Sequence, residues 1–99
     1  MLEQLENDTQ VLHKTQEPLR YKVLLLNDNF TTQDFVIEVL QKIFHKNMED
    51  SINLMLQVHH EGKAICGIYP YDIAEIKVMQ VRKMAKDKQY PLRATLESV

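Results

Sequence analysis

Leu24-Leu25-Leu26-Asn27-Asp28-Asn29-Phe30-Thr31-Thr32-Gln33-Asp34-Phe35-Val36 is the stretch on which the fold turns. An apolar run ends abruptly at three small polar residues, two threonines follow, and Phe35 and Val36 open an apolar pattern of helical period. A strand, a polar turn and a helix start therefore share very few residues. Polar side chains are held beside apolar ones with rigid elements on both sides, which is how a small specific binding site is built.

The strand is Tyr21 to Leu26: short, apolar and closed by turn residues, as in a strand covered on both faces or nearly so. Asn and Asp close such turns by bonding neighbouring backbone amides. Thr31 or Thr32 caps the first helix, and Asp34 suits the positive end of its dipole. That helix is predicted from Gln33 to His45, with Phe35, Val36, Val39, Leu40, Ile43 and Phe44 on one face. After a break at Lys46 and Asn47, a second helix is predicted from Met48 to His60. Its expected inner face carries Ile52, Met55, Leu56 and His59, with Val58 beside it, and Gly62 stops it.

The second strand is predicted from Lys63 to Tyr69, where Gly67 implies a bulge or a close neighbour. Pro70 opens a third helix, running to Lys88 with a narrow inner stripe of Ala74, Val78, Val81 and Ala85. Pro91 leads into a last strand, Leu92 to Val99, in which Leu92, Ala94 and Leu96 alternate with Arg93, Thr95 and Glu97. The order βααβαβ gives an α/β two-layer sandwich, three strands with three helices on one face.

Bulk composition narrows the class. Ninety-nine residues make one domain, too small to hold a large interior cavity. With 44% hydrophobic and 26% charged residues the chain is ordinary for a globular protein, and its net charge of −2 gives no general reason to bind nucleic acid. The single Cys66 cannot form an internal disulfide, no apolar run is long enough for a membrane span, and no signal-peptide pattern opens the chain. A cytoplasmic protein is expected. Residues 1–20, with Glu3, Glu6, Asp8 and Glu17 against Lys14 and Arg20, read as a flexible, mildly acidic N-terminal extension before a core spanning 21–99.

Candidate chemistry is sparse. His59 and His60 are adjacent, so they point about 100° apart on a helix and do not chelate one metal easily, and with His45 and Cys66 they give no zinc-like spacing. Cys66, between Ile65 and Gly67, reads as a small buried apolar residue. There is no glycine-rich phosphate loop and no isolated carboxylate pair, so neither a catalytic centre, a metal nor a cofactor is expected. What remains is a binding site. Asn27, Asp28 and Asn29 offer oxygens and neutral His59 an acceptor nitrogen, the surroundings a protonated amine needs. Leu25, Val36, Met55, Val58 and Leu92 can line an adjoining apolar hole, so a ligand with an amino group beside a large apolar side chain fits.

The segments Tyr-Lys-Val-Leu-Leu-Leu-Asn-Asp (21–28), Phe-Val-Ile-Glu-Val-Leu-Gln-Lys-Ile-Phe (35–44), Leu-Met-Leu-Gln-Val-His-His-Glu-Gly-Lys-Ala-Ile-Cys-Gly (54–67) and Tyr-Pro-Leu-Arg-Ala-Thr-Leu-Glu (90–97) strongly resemble ClpS. That family is the bacterial N-end rule adaptor, which hands substrates to the ClpAP protease. The resemblance implies a three-stranded antiparallel sheet with three helices, and no enzymatic activity. It implies that Asn27 and His59 hold a substrate α-amino group, with Asp28 and Asn29 at the mouth of the pocket. Leu25, Thr31, Val36, Met55, Val58 and Leu92 then match the wall around an N-terminal Leu, Phe, Tyr or Trp side chain, and Gln33 its gate. Asp72 and Lys77 match contacts with the N-terminal domain of a ClpA-type AAA+ unfoldase. The extension before Arg20 matches a mobile segment engaged during delivery.

Three departures stand out. Where the family usually has Asp-Asp-Tyr-Thr-Pro-Met, this chain has Asp28-Asn29-Phe30-Thr31-Thr32-Gln33. Asn29 removes a negative charge from the mouth, Thr32 replaces a stiffening proline, and Gln33 replaces a methionine that guards against β-branched side chains. Altered affinity or side-chain preference is expected rather than lost function. Two rival readings are a nucleic-acid-binding module using the third-helix lysines, and an interaction domain of ribosomal-stalk-like fold without a pocket.

Overall fold

The computed structural model describes residues 19–99, so the expected N-terminal extension lies outside the described residues except for Leu19 and Arg20. The elements are β1 (Arg20–Leu26), α1 (Gln33–Lys42), α2 (Met48–Glu61), β2 (Lys63–Pro70), α3 (Tyr71–Lys88) and β3 (Arg93–Ser98). β1 is the middle strand of a sheet ordered β2-β1-β3, antiparallel to both neighbours. Arg20, assigned above to the extension, belongs to β1, where it pairs with Pro70.

Alternation along β1 sends Val23 and Leu25 to the helical side, where both are fully enclosed. Leu24 points to the helix-free face yet is only 3% exposed, covered between Ile65 and Thr95 on the flanking strands. This is the double burial expected of the strand. In β2 the register slips opposite Val23 and Leu24, with Cys66 as the extra residue. Gly67 beside it lacks a side chain because the ring of Tyr69 fills the space that a Cβ there would need. The expected bulge and the expected close neighbour are thus both present. Burial pushes the Cys66 thiol up to about 12, so it is an unreactive core group.

α3 lies across all three strands through Ala74, Val78, Val81 and Ala85, the stripe anticipated from the sequence. α1 ends at Lys42, short of the expected His45. Ile43 is its C-cap, and His45 turns into the left-handed region at φ 56°. The carbonyl of Ile43 there accepts a 2.8 Å hydrogen bond from Lys77 Nζ on α3.

α2 is turned relative to expectation. Ser51, Met55 and Val58 are buried, whereas Ile52 and Leu56 are each 38% exposed and His59 is exposed. The expected face and the observed one are neighbouring stripes. Ser51, fully enclosed, is small enough to let the helix approach its neighbours closely. Among the described residues no helix is long and apolar enough to cross a membrane.

The Ser51 hydroxyl makes no hydrogen bond. Removing it costs no partner and leaves a hole of only one oxygen. Ser51→Ala should therefore leave the urea midpoint unchanged or raised; a loss above about 1 kcal/mol would show that the hydroxyl is paired in solution.

Candidate functional site

The site grows from the turn that follows β1. The Asn27 amide donates to the Gly62 carbonyl at 2.9 Å, tying the end of β1 to the junction of α2 and β2. Gly62 can close that junction because it holds φ 89°, with its own amide donating to the Val58 carbonyl at 2.9 Å. Asp28 then organises the turn: Oδ1 accepts from the Phe30 and Thr31 amides at 2.8 and 2.7 Å, and Oδ2 accepts from the Thr31 hydroxyl at 2.7 Å. Partial burial pushes its carboxyl up, but the Thr31 amide and hydroxyl, the Phe30 amide and the charge of Arg93 together outweigh that. The carboxyl therefore sits below its ordinary range.

Thr32 caps α1, its Oγ1 accepting from the Phe35 amide at 3.2 Å. Its hydroxyl also lies 3.4 Å from the Tyr90 hydroxyl, and the Tyr90 ring packs on Phe35 at 4.8 Å between centroids. Tyr90 follows Gln89, which closes α3 in the left-handed conformation at φ 61°. The connection from α3 to β3 is in this way fastened to the start of α1.

Between these pieces lies a recess of about 210 Å³. The turn supplies Asn27, Asp28, Asn29 and Thr31; the start of α1 supplies Gln33 and Val36; the end of α2 supplies Met55, Val58 and His59. A narrow cleft adjoins it between Thr31, Val36 and Val58, reaching Leu26 and Leu92. The volume suits one amino-acid side chain. Its polar rim carries acceptors from Asn27, Asp28, Asn29 and His59, and its apolar wall is Val36, Met55 and Val58.

Not every expected residue arrives where the sequence suggested. Leu25 faces the helices and is fully enclosed in the core, and it is not among the residues that border the recess. Leu26, not named from the sequence, borders the adjoining cleft instead. It marks the point where a strand ends and its neighbours open, which an unbroken leucine run does not reveal. His59 lies at the edge of α2, exposed, rather than on the core stripe, and it lines the recess from that edge.

On the far side, Asp72 in the first turn of α3 is exposed, and the Lys77 ammonium is half-buried against Ile43 and 5.7 Å from the Tyr69 ring centroid. The lysines near the end of α3 border a groove with Met79 and Arg82, built by one helix alone and with no aromatic ring in its lining. Among the described residues no three His, Cys, Asp or Glu side chains gather as a metal site would require.

The family model for the ATP-dependent Clp protease adaptor protein ClpS matches residues 16–95. The chain belongs to the ClpS family. It is 58% identical over 81 residues to the ATP-dependent Clp protease adapter protein ClpS of Wolinella succinogenes, covering 82% of this chain and 79% of that one. Against the protein of the same description from Nautilia profundicola it is 48% identical over 95 residues, 96% and 94% of the two chains. Among solved structures, Agrobacterium tumefaciens ClpS2 bound to L-phenylalaninamide superposes with a TM-score of 0.81 at 34% identity, over 84% of this chain and 100% of that chain. These matches agree with the resemblance read from the sequence and with the three-stranded antiparallel fold.

Because folding lowers the Asp28 pKa, the stability it contributes is complete above its ordinary value of 3.8 and is lost as pH falls through the lower, folded value. Asp28→Asn should cost about 1 kcal/mol near neutral pH, modest because the turn is largely exposed. The gap between wild type and variant in urea unfolding should stay flat down to mild acid and close below 3.8. A gap that does not depend on pH would show that the charge does not hold the turn.

Proposed function

We propose that this ClpS-family chain is the N-end rule adaptor for proteins whose first residue is Leu, Phe, Tyr or Trp, and that it delivers them to the ClpA-type unfoldase of the ClpAP protease in the cytoplasm. The first side chain enters the recess against Val36, Met55 and Val58, with Thr31, Gln33 and the Leu92 cleft completing the wall. Burying such a side chain is worth about 1.5–3 kcal/mol. The α-ammonium then lies at the polar rim, where Asn27 and His59 accept from it and Asp28 and Asn29 hold the mouth. The adaptor makes and breaks no bond, so its action is recognition and delivery.

The observation that carries this reading is the convergence, in a cavity sized for one side chain, of four acceptor-bearing residues on one side and three apolar ones on the other. The bound L-phenylalaninamide of the Agrobacterium tumefaciens protein, a free amine beside a benzyl group, has the same two-part chemistry. Asp72 and Lys77 on α3 are assigned to contact the N-terminal domain of the unfoldase. Asp72 is freely exposed for that purpose, and Lys77 keeps two donors beyond the one given to Ile43.

Fluorescence anisotropy with labelled peptides tests the site. A peptide beginning with free Leu or Phe should bind, and N-acetylation, which removes the charge and donors of the amine, should abolish binding. Unchanged binding after acetylation would remove the amine role of Asn27 and His59. His59→Ala should weaken binding tenfold or more, by about 1.4 kcal/mol, without shifting the thermal midpoint, since the ring is exposed.

Gln33 is the second test. Its side chain is long and unbranched like the methionine usual in the family, so it should still exclude β-branched first residues. Ile- and Val-starting peptides should bind well below Leu-starting ones. Equal binding of Leu, Phe and Ile peptides would show the gate open.

A further inference from the structure

The face of the sheet that carries no helix has an apolar centre between two pairs of cations. Strand register lays it out, since directly opposed residues share a face. Leu24 stands opposite Ile65, and Lys22 opposite Ile68. Leu24 is nearly enclosed, but Ile65 and Ile68 are 44% and 46% exposed. Arg20 and Lys22 lie on this face where β1 begins, and where it ends Leu26 is flanked by Lys63 and Arg93. Opposing charge is thin: of the residues in the three strands only Glu97, opposite Lys22, is a carboxylate. Among the described residues the ion pairs are Lys42–Glu38 and Lys83–Asp87, both on helices, and none of the four strand cations belongs to either.

Residues 1–18 repeat that layout in sequence. Glu17 stands nearest the sheet, Val11 and Leu12 come next toward the N-terminus, and Asp8, Glu6 and Glu3 lie beyond them. Lys14 is the one Lys or Arg in the segment. The segment joins the sheet at Arg20, one of the four cations of the face. If about four residues reverse the chain, Val11 and Leu12 come level with Leu24, and Asp8 passes the end of β1 toward Lys63 and Arg93, at about 3.3–3.6 Å per residue on both chains. Glu17 then stays close to Arg20 and Lys22.

We propose that residues 1–18 lie back across the helix-free face of their own sheet, with Val11 and Leu12 over the apolar centre and the carboxylates against the cations at its two ends. Each exposed charge pair is weak and screened by salt. The tether compensates, because it supplies an effective concentration on the order of millimolar. The recess lies on the helical side, so this cover leaves it open. It shields exposed isoleucines that lie along β2, an edge strand of the sheet.

The test uses the full chain with a nitroxide label on the Thr9→Cys variant. Cys66 stays unlabelled because it is buried and its thiol is pushed up to about 12. Methyl spectra of isotope-labelled isoleucine should show loss of the Ile65 and Ile68 signals, while Ile73 and Ile76, exposed on α3 on the other side of the sheet, keep theirs. High salt should restore the lost signals. So should Glu3→Lys with Glu6→Lys, which lie outside the strands and helices, and Lys63→Glu with Arg93→Glu, whose folding circular dichroism checks. Combining both reversals should bring the loss back. An equal loss at all four isoleucines, as from a freely swinging segment, or no loss at any, would overturn the proposal. So would loss in isotope-labelled wild type mixed with nitroxide-labelled chain of natural isotopes, since the occupant would then belong to a second copy.

Discussion

The Asp28 carboxylate accepts three hydrogen bonds from the two residues that stand two and three places after it, and the recess exists because of that turn. A polar segment between a buried strand and a helix would otherwise be free to swing, and an acceptor that swings cannot hold an amine. Here the segment is fixed at one end by Asn27 on Gly62 and at the other by Thr32 capping α1. Each bond is worth little alone in a partly wet setting, about 1 kcal/mol, but together they leave the turn one geometry. Thr32 bears on the departure from the family pattern. Its hydroxyl, shared between the Phe35 amide and Tyr90, supplies a hydrogen-bonded brace where a proline ring would supply a covalent one.

The polar and apolar halves of the site depend on each other. Val36 and Val58 are nearly enclosed, so the apolar wall is part of the core and cannot rearrange without loosening it. The acceptors at the rim are partly or fully exposed and stay satisfied by water while the site is empty. A ligand must therefore replace that water with donors of its own at the same time as it fills the wall. An apolar group without an amine leaves the rim unserved, and an amine without a side chain gains only exposed hydrogen bonds. On the proposed reading, the requirement for both follows from where burial stops along α2, between Val58 and His59.

Much of this was legible in the residues. The passage from Leu26 through Asp28 to Thr32 carries its own turn and cap chemistry, which is local and survives any tertiary context. The small stripe of α3 was equally plain, since Ala74, Val78, Val81 and Ala85 offer no competing face. α2 was misjudged because it has two apolar stripes a few tens of degrees apart. Only contact with β2 and α1 selects the one through Ser51, and a serine does not announce itself as core. The same rotation moves His59 from the interior to the rim. Three consecutive leucines likewise do not say which of them the sheet turns inward, so the full enclosure of Leu25 is not readable from the run alone. The early end of α1 is set by the left-handed His45 and by Lys77, whose sequence separation from Ile43 hides the bond.

α1, which carries one wall of the recess, is fastened to α3 or the turn beyond it at both ends. Its first turn meets Tyr90 through Thr32 and Phe35, and its last carbonyl meets Lys77. α3 in turn lies across all three strands, and α1 also packs on α2, which rests on β2, so the wall position is referred to the sheet through both helices. The residues proposed to contact the unfoldase sit on α3, within its first two turns. Drawing the Lys77 ammonium fully outward would strand the half-buried carbonyl of Ile43, at a cost of about 1–3 kcal/mol. A partner that uses the two remaining donors of Lys77 and the exposed Asp72 avoids that cost. On the proposed reading, docking of that kind leaves α1 anchored.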